Sequence, residues 1–172
     1  MSADPKAATS GLAADEAVRP MTLAALDGVV ALEAAVYPFP WTRGNFVDSL
    51  AASYIAWTLN GSGGELIAYC MAMRGAGEMH LLNITVAPVA RRRGHARRLL
   101  GALVALCHAQ GDERIWLEVR EANIDAQATY LRLGFTQVGM RKGYYPAPDG
   151  AREDAVVMSL AIDVARGLDA LE

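Results

Sequence analysis

The sequence predicts an α/β protein: one mixed sheet with helices packed on it. Three observations carry that prediction. Strand-like runs separated by turn signals follow one another between residues 54 and 86. Beyond them come a helix, a strand, a second helix and a final strand pair, an order that needs a mixed sheet flanked by helices. The chain has 172 residues, 53% of them apolar, enough to bury one sizeable core without disulfides or a structural metal.

The elements are justified in turn. "VRPM" (18–21) reads as a short strand. Thr22 is placed to cap the helix that follows, where Leu26, Val29, Val30, Glu33 and Val36 form a mostly apolar stripe at helical spacing. "YPFPW" (37–41) stops that helix, because its two prolines cannot continue it. Thr42 opens a short second helix through Leu50. "YIAWTLN" (54–60) and "ELIAYCMAMR" (65–74) flank "GSGG", a hairpin signal. "GAG" then turns the chain into "EMHLLNITV" (78–86), which Pro88 ends. The next helix carries Ala96, Leu99, Leu100, Leu103, Val104 and Cys107 on one side, and Gly111 closes it. "RIWLEV" (114–119) is a strand. "NIDAQATYLRLG" (123–134) is a helix with an Asn cap at one end and Gly at the other. "TQVGMRKGYY" and "DAVVMSLAI" form the final pair. The domain organisation expected is a disordered extension over 1–17, one domain over 18–161 and a tail over 162–172.

Composition excludes several function classes. The net charge of −3 argues against a general nucleic-acid coat, whose surface is usually basic. Cys70 and Cys107 stand in apolar runs, outside any CxxC pair. His80, His95 and His108 show no ligand spacing with them, so buried thiols are expected and a metal site is not. No apolar run reaches the roughly 18 residues of a membrane span. The opening "MSADPKAATSGLAADEA" has no basic leader followed by an apolar block, so the cytoplasm is the expected location. A monomer is the simplest expected state.

One stretch departs from this ordinary composition. "RRRGHARRLL" (91–100) gathers arginines between a strand and a helix. The first N–H groups of a helix lack internal partners and lie at the positive end of its dipole. Gly94 lets backbone approach a phosphate, and Ala96 keeps the entry narrow. The arginines add charge-assisted hydrogen bonds. Neither GxxxxGK[ST] nor GxGxxG is present. Alone, "RxxGxA" reads as an anion site or as a solvated basic helix start.

Its surroundings narrow the choice. "NITVAPVARRRGHA" resembles the coenzyme A pyrophosphate loop of the GNAT superfamily of N-acetyltransferases: Arg/Gln-x-x-Gly-x-Gly/Ala after a strand ending in V-x-P. Four further stretches resemble the RimI-like ribosomal-protein-alanine N-acetyltransferases within it: "YPFPWTRGNF", "LLNITV", "WLEVREANIDAQATYLRLGF" and "GYYP" with "DGAREDAVVMSL". The resemblance spans residues 18 to 161. It implies the GNAT acyl-CoA N-acyltransferase fold, whose central parallel strands splay to admit acetyl-CoA. It implies that Ile84, Thr85 and Val86 pair through their backbones with the pantetheine arm. Arg92, Arg93, Gly94, His95, Ala96 and Arg97 would wrap the pyrophosphate, and Asn123 would meet the coenzyme near its thioester. Glu118 matches the family's general base and Tyr130 its general acid. The implied partner is the N-terminal alanine of a small-subunit ribosomal protein, with no nucleic acid and no membrane. Ala96 stands where most RimI proteins have glycine, and His95 holds a usually aliphatic position.

The chemistry is coherent from the residues upward. A peptide α-amine has a pKa of roughly 7.7–8.0, against about 10.4 for lysine, so a modest base suffices near neutral pH. On "RIWLEV", Ile115, Leu117 and Val119 share one face while Trp116 and Glu118 share the other. Glu118 therefore reads as a base in a polar pocket or as a surface ion pair with Arg120. Tyr130 is in phase with Ala126 and Leu133, so it reads as a packing residue or as the acid. Asn123 is also an ordinary helix cap. Backbone N–H near Val86 is placed to polarise the thioester carbonyl. "YPFPW" and "KGYYP" read as packing or as the walls of a peptide groove. Glu33 and Asp154 are further acidic candidates for meeting a charged amine. No cysteine stands as a nucleophile, so direct transfer in a ternary complex is expected. Two rivals remain at this point: the same fold acting on lysine side chains or a small amine, and a non-enzymatic nucleotide or RNA binder.

Overall fold

The computed structural model describes residues 17–163. The expected extension (1–17) and tail (162–172) thus lie almost wholly outside the described residues. The elements are β1 (Val18–Pro20), α1 (Leu26–Val36), α2 (Arg43–Ala51), β2 (Ile55–Asn60), β3 (Leu66–Gly75), β4 (Glu78–Val86), α3 (His95–Gln110), β5 (Arg114–Arg120), α4 (Ile124–Arg132), β6 (Thr136–Pro146) and β7 (Arg152–Ala161). This is the predicted order. The strands form one sheet in the order β1-β2-β3-β4-β5-β7-β6. Every neighbouring pair is antiparallel except β4 and β5.

Local chemistry sets the helix starts. Thr42 Oγ1 accepts from the Asn45 N–H at 3.3 Å, and Asn45 Oδ1 accepts from the Thr42 N–H at 2.8 Å, a reciprocal capping box. The cap expected at Thr22 is not made. A tight 3-10 turn, Leu23–Ala25, precedes α1, and the Thr22 carbonyl, not its hydroxyl, takes the first bond. Gly94 and Gly111 bracket α3 at φ 82° and 71°, left-handed values that suit glycine.

Two cores sandwich the sheet. On one face Leu99, Leu100, Leu103 and Cys107 of α3 pack on Met79, Leu81, Ile115, Leu117 and Met158. On the other, Leu26, Val29 and Phe46 of α1 and α2 pack on Tyr69 and Met71. The alternation read in β5 holds, since Ile115, Leu117 and Val119 are buried toward α3. Ile162, just past β7, is also buried, and its N–H donates to Glu113 O at 2.8 Å.

The feature that positions the site is the parting of β4 from β5. Their ladder pairs Glu78 with Arg114 through Leu81 with Leu117 and stops there, although both strands run on. The cause lies on the opposite edge of β4. Against β3, Leu81 partners Ala72 and Asn83 partners Met71, so Leu82 is an extra residue. Such a bulge bends its strand and raises local twist. β4 therefore turns away from β5 directly after Leu81 and leaves its free edge open.

Candidate active site

A cleft of about 950 Å³ opens where the strands part. Its lining includes Ile84, Thr85 and Val86 from β4, Arg92, Gly94, His95, Ala96 and Arg97 from the α3 start, and Asn123 and Tyr130 from α4. Arg91, the first residue of the RxxGxA pattern, lines it too. Two of the predicted site residues do not. Arg93 turns to a smaller depression beside Glu65 and Ala90, which His95 also touches. Glu118 lies on the face of β5 that looks toward α1 and α2.

The loop before α3 is built for an anion. Arg92 and Gly94 both take positive φ, 63° and 82°. Alternating left-handed residues turn successive N–H groups toward one concavity, a nest for an anion. Arg92 holds this conformation without being glycine, the kind of strain that persists at ligand clamps. A Cβ at Gly94 meets no atom within 4 Å, so that position faces open space and its φ alone demands glycine. The residues present thus fit the diphosphate of acetyl-CoA. The strand above it is partly engaged already: Ile84 O accepts from the Tyr37 hydroxyl at 3.3 Å, and Val86 O from Arg91 Nε at 3.3 Å. Each carbonyl keeps a second lone pair.

Tyr130 is half-buried, with its ring 5.6 Å from that of Phe135. Burial, with smaller contributions from Tyr37 and Tyr145, pushes its phenol pKa above the ordinary value. Tyr130 therefore stays protonated across physiological pH, as a proton donor must. The Asn123 side chain accepts from the Ala126 N–H at 3.2 Å, so it caps α4 while lining the cleft. Cys70 and Cys107 are buried free thiols, and burial pushes each pKa up to about 12. Neither is a competent nucleophile at neutral pH.

Glu118 is not the surface ion pair that its sequence neighbour suggested. Arg120 pairs instead with Glu153 at 2.6 Å. The Glu118 side chain is 5% exposed and meets His80 Nε2 at 2.5 Å and Arg141 Nη2 at 3.2 Å. It occupies the polar pocket that its strand phase required. The two aromatic loops converge just beyond it. The Arg120 guanidinium lies 5.9 Å from the Phe39 ring and 4.6 Å from that of Tyr145. Tyr145 in turn donates its hydroxyl to Glu118 O at 2.9 Å.

The sequence marked Glu33 and Asp154 as candidates for meeting a charged amine, but not as supports of the site, which is how the structure uses them. Glu33, 1% exposed, accepts from Trp41 N–H at 2.9 Å, from Asn83 Nδ2 at 3.2 Å and from the Tyr69 hydroxyl. It therefore ties the loop after α1 to β3 and β4, and the chain of hydrogen bonds continues through Thr85 to Tyr37. A charge on an otherwise apolar stripe was the available signal. Asp154 accepts from the Gly143 N–H at 2.7 Å and shapes the bulge that presents Tyr144 and Tyr145. Both acids are thus committed to holding the fold of the site. Among the described residues, no group of three or more His, Cys, Asp and Glu side chains is arranged to hold a metal.

Comparison with known proteins agrees with this fold. The Acetyltransferase (GNAT) family profile matches residues 26–135. The ribosomal protein bS18-alanine N-acetyltransferase of Haemophilus ducreyi is 37% identical over 129 residues, 75% of this chain and 88% of that one. The Escherichia coli protein of the same name is 35% identical over 133 residues, 77% and 88% of the two chains. A crystal structure of the ribosomal-protein-alanine N-acetyltransferase from Escherichia coli superposes with a TM-score of 0.79 at 32% identity, covering 88% of this chain and 96% of that one. The fold also matches Chaetomium thermophilum Naa20 in complex with a bisubstrate analogue, with a TM-score of 0.75 at 23% identity, covering 86% and 87%.

Proposed function

The chain belongs to the GNAT family of acetyltransferases, and we propose that it moves the acetyl group of acetyl-CoA onto the α-amine of an alanine-initiated protein N-terminus, that of a small-subunit ribosomal protein. The observation that carries the reading is the parting of β4 and β5 after Leu81 and Leu117, with an anion nest below it and a buried carboxylate beside it. The relatives named for alanine acetylation support the choice of acceptor.

Acetyl-CoA supplies a thioester carbonyl activated toward an amine. Arg91, Arg92 and Arg97, with the N–H groups around Gly94, hold the diphosphate. The free edge of β4 from Ile84 to Val86 holds the pantetheine, and an N–H there polarises the carbonyl. Glu118 takes the proton from the amine nitrogen, directly or through one water, as the C–N bond forms and the C–S bond breaks. Tyr130 gives its proton to the departing sulfur. A thiol has a pKa of roughly 8.5 and an ordinary phenol about 10, so that last transfer is uphill by at least about 2 kcal/mol. Tyr130 therefore acts first as a hydrogen-bond donor to developing charge, and amide formation drives the transfer.

A panel of acceptors tests the assignment. We expect thiol release with alanine-initiated peptides that copy the N-terminus of ribosomal protein bS18, and far weaker release with α-blocked lysine peptides. Fast turnover of a free small amine, with none of the alanine peptides, would contradict it.

A further inference from the structure

The mechanism uses Glu118 but leaves the side chain bonded to it unexplained. We propose that His80 is a positioning residue for the base: through Nε2–H it fixes Oε2 of Glu118 and so presents Oε1 to the incoming amine or to the water that relays its proton. The inference rests on the acetyl-transfer reading above.

Three observations converge on it. His80 Nε2 lies 2.5 Å from Oε2 across the parallel pair, and a carboxylate only accepts, so this nitrogen carries the hydrogen. The imidazole is stacked on Trp116, centroids 4.3 Å apart and planes 5° from parallel. Trp116 also has the Arg141 guanidinium 5.6 Å from its ring. Oε1, in contrast, is buried and accepts no hydrogen bond, although Arg141 Nη2 stands 3.2 Å away. Oε1 is therefore ion-paired but accepts no hydrogen bond, and its lone pairs remain for a ligand or water. The two oxygens are thus divided: Oε2 takes a hydrogen bond within the fold, while Oε1 has only the Arg141 ion pair and keeps its lone pairs for the reaction.

The test compares His80→Ala, His80→Gln, Glu118→Gln and the double variant His80→Ala/Glu118→Gln with the unaltered protein, using an alanine-initiated peptide and acetyl-CoA. Misplacing a catalytic group by an ångström costs up to about 100-fold, so His80→Ala should lower kcat about 10- to 100-fold. Its KM for acetyl-CoA should stay within about twofold, since His80 lies outside the cofactor cleft. Glutamine keeps a side-chain N–H donor, so His80→Gln should recover most of the loss. With Glu118 neutralised, the alanine change should add little further. Full activity of His80→Ala, no rescue by glutamine, or multiplying effects in the double variant would each overturn the proposal. Full activity of Glu118→Gln would instead remove the base assignment beneath it. If His80→Ala does not fold, His80→Gln decides alone, and a tenfold or greater loss of kcat in it contradicts the proposal.

Discussion

In the proposed reaction Glu118 and Tyr130 divide the proton traffic, and their surroundings differ: Glu118 is buried against His80 and Arg141, and Tyr130 lines the cleft. Tyr130 stands in the cleft with its pKa raised by burial, so it keeps its proton at neutral pH. Replacing it by phenylalanine preserves the packing on Phe135 and removes only the hydroxyl. We expect kcat to fall about 100-fold or more, in the range of lost acid catalysis, with acetyl-CoA affinity by calorimetry unchanged. Unchanged turnover would remove Tyr130 from the chemistry. We also expect no alkaline fall of kcat from this group below about pH 10, because its phenol titrates above the ordinary value. The face of β5 that carries Glu118 was legible from alternation alone. Its partners were not: His80 is 38 residues away, and a parallel register cannot be read from two strands in isolation. Arg120, close by in sequence, drew attention that belonged to Arg141, which reaches Glu118 from another strand.

At the scale of single elements, caps and turns decide the outcome. Gly94 opens α3 in the left-handed region and faces open space where the diphosphate would lie. Gly94→Val asks a β-branched residue to hold that φ and puts methyl groups into the nest. Acetyl-CoA affinity should drop at least about tenfold, whereas normal affinity would count against the loop. Thr42 tests the fold without touching the chemistry. Thr42→Ala breaks the reciprocal cap of α2 and should cost about 1 kcal/mol, read as a lower urea midpoint with kcat nearly unchanged. Thr42 was legible as a helix opener because it follows the proline-interrupted stretch, while the reciprocal bond from Asn45 is seen only in the structure. Thr22 misled because a hydroxyl before an apolar stripe does not reveal whether the first turn is α or 3-10. The bulge at Leu82 was also hidden, since no glycine or proline marks it.

For the whole molecule, the element order and the mixed sheet were legible from periodicity and turn residues, while the splay came only from family resemblance and is now explained by the bulge. The sandwich also has a stability consequence. Cys70 and Cys107, one within the sheet and one on α3, keep their protons in the fold up to about pH 12, against an ordinary value of 9.0. The unfolded chain releases those protons from about pH 9, so stability that is complete below that pH falls steadily toward pH 12. Tyr69 and Tyr130, also raised, act in the same direction above pH 10. The urea midpoint should therefore be distinctly lower at about pH 10.5 than at about pH 8, and an unchanged midpoint would contradict the two thiol assignments. The central claim is that the parted strands bring a thioester and an α-amine together between Glu118 and Tyr130. A crystal structure with coenzyme A joined to an alanine-initiated peptide tests it most directly. The expected result is the diphosphate in the nest around Gly94, the α-nitrogen within a hydrogen bond or one water of Glu118 Oε1, and the sulfur facing the Tyr130 hydroxyl. A diphosphate held beside Arg93 and Glu65, or an α-nitrogen remote from Glu118, would contradict it.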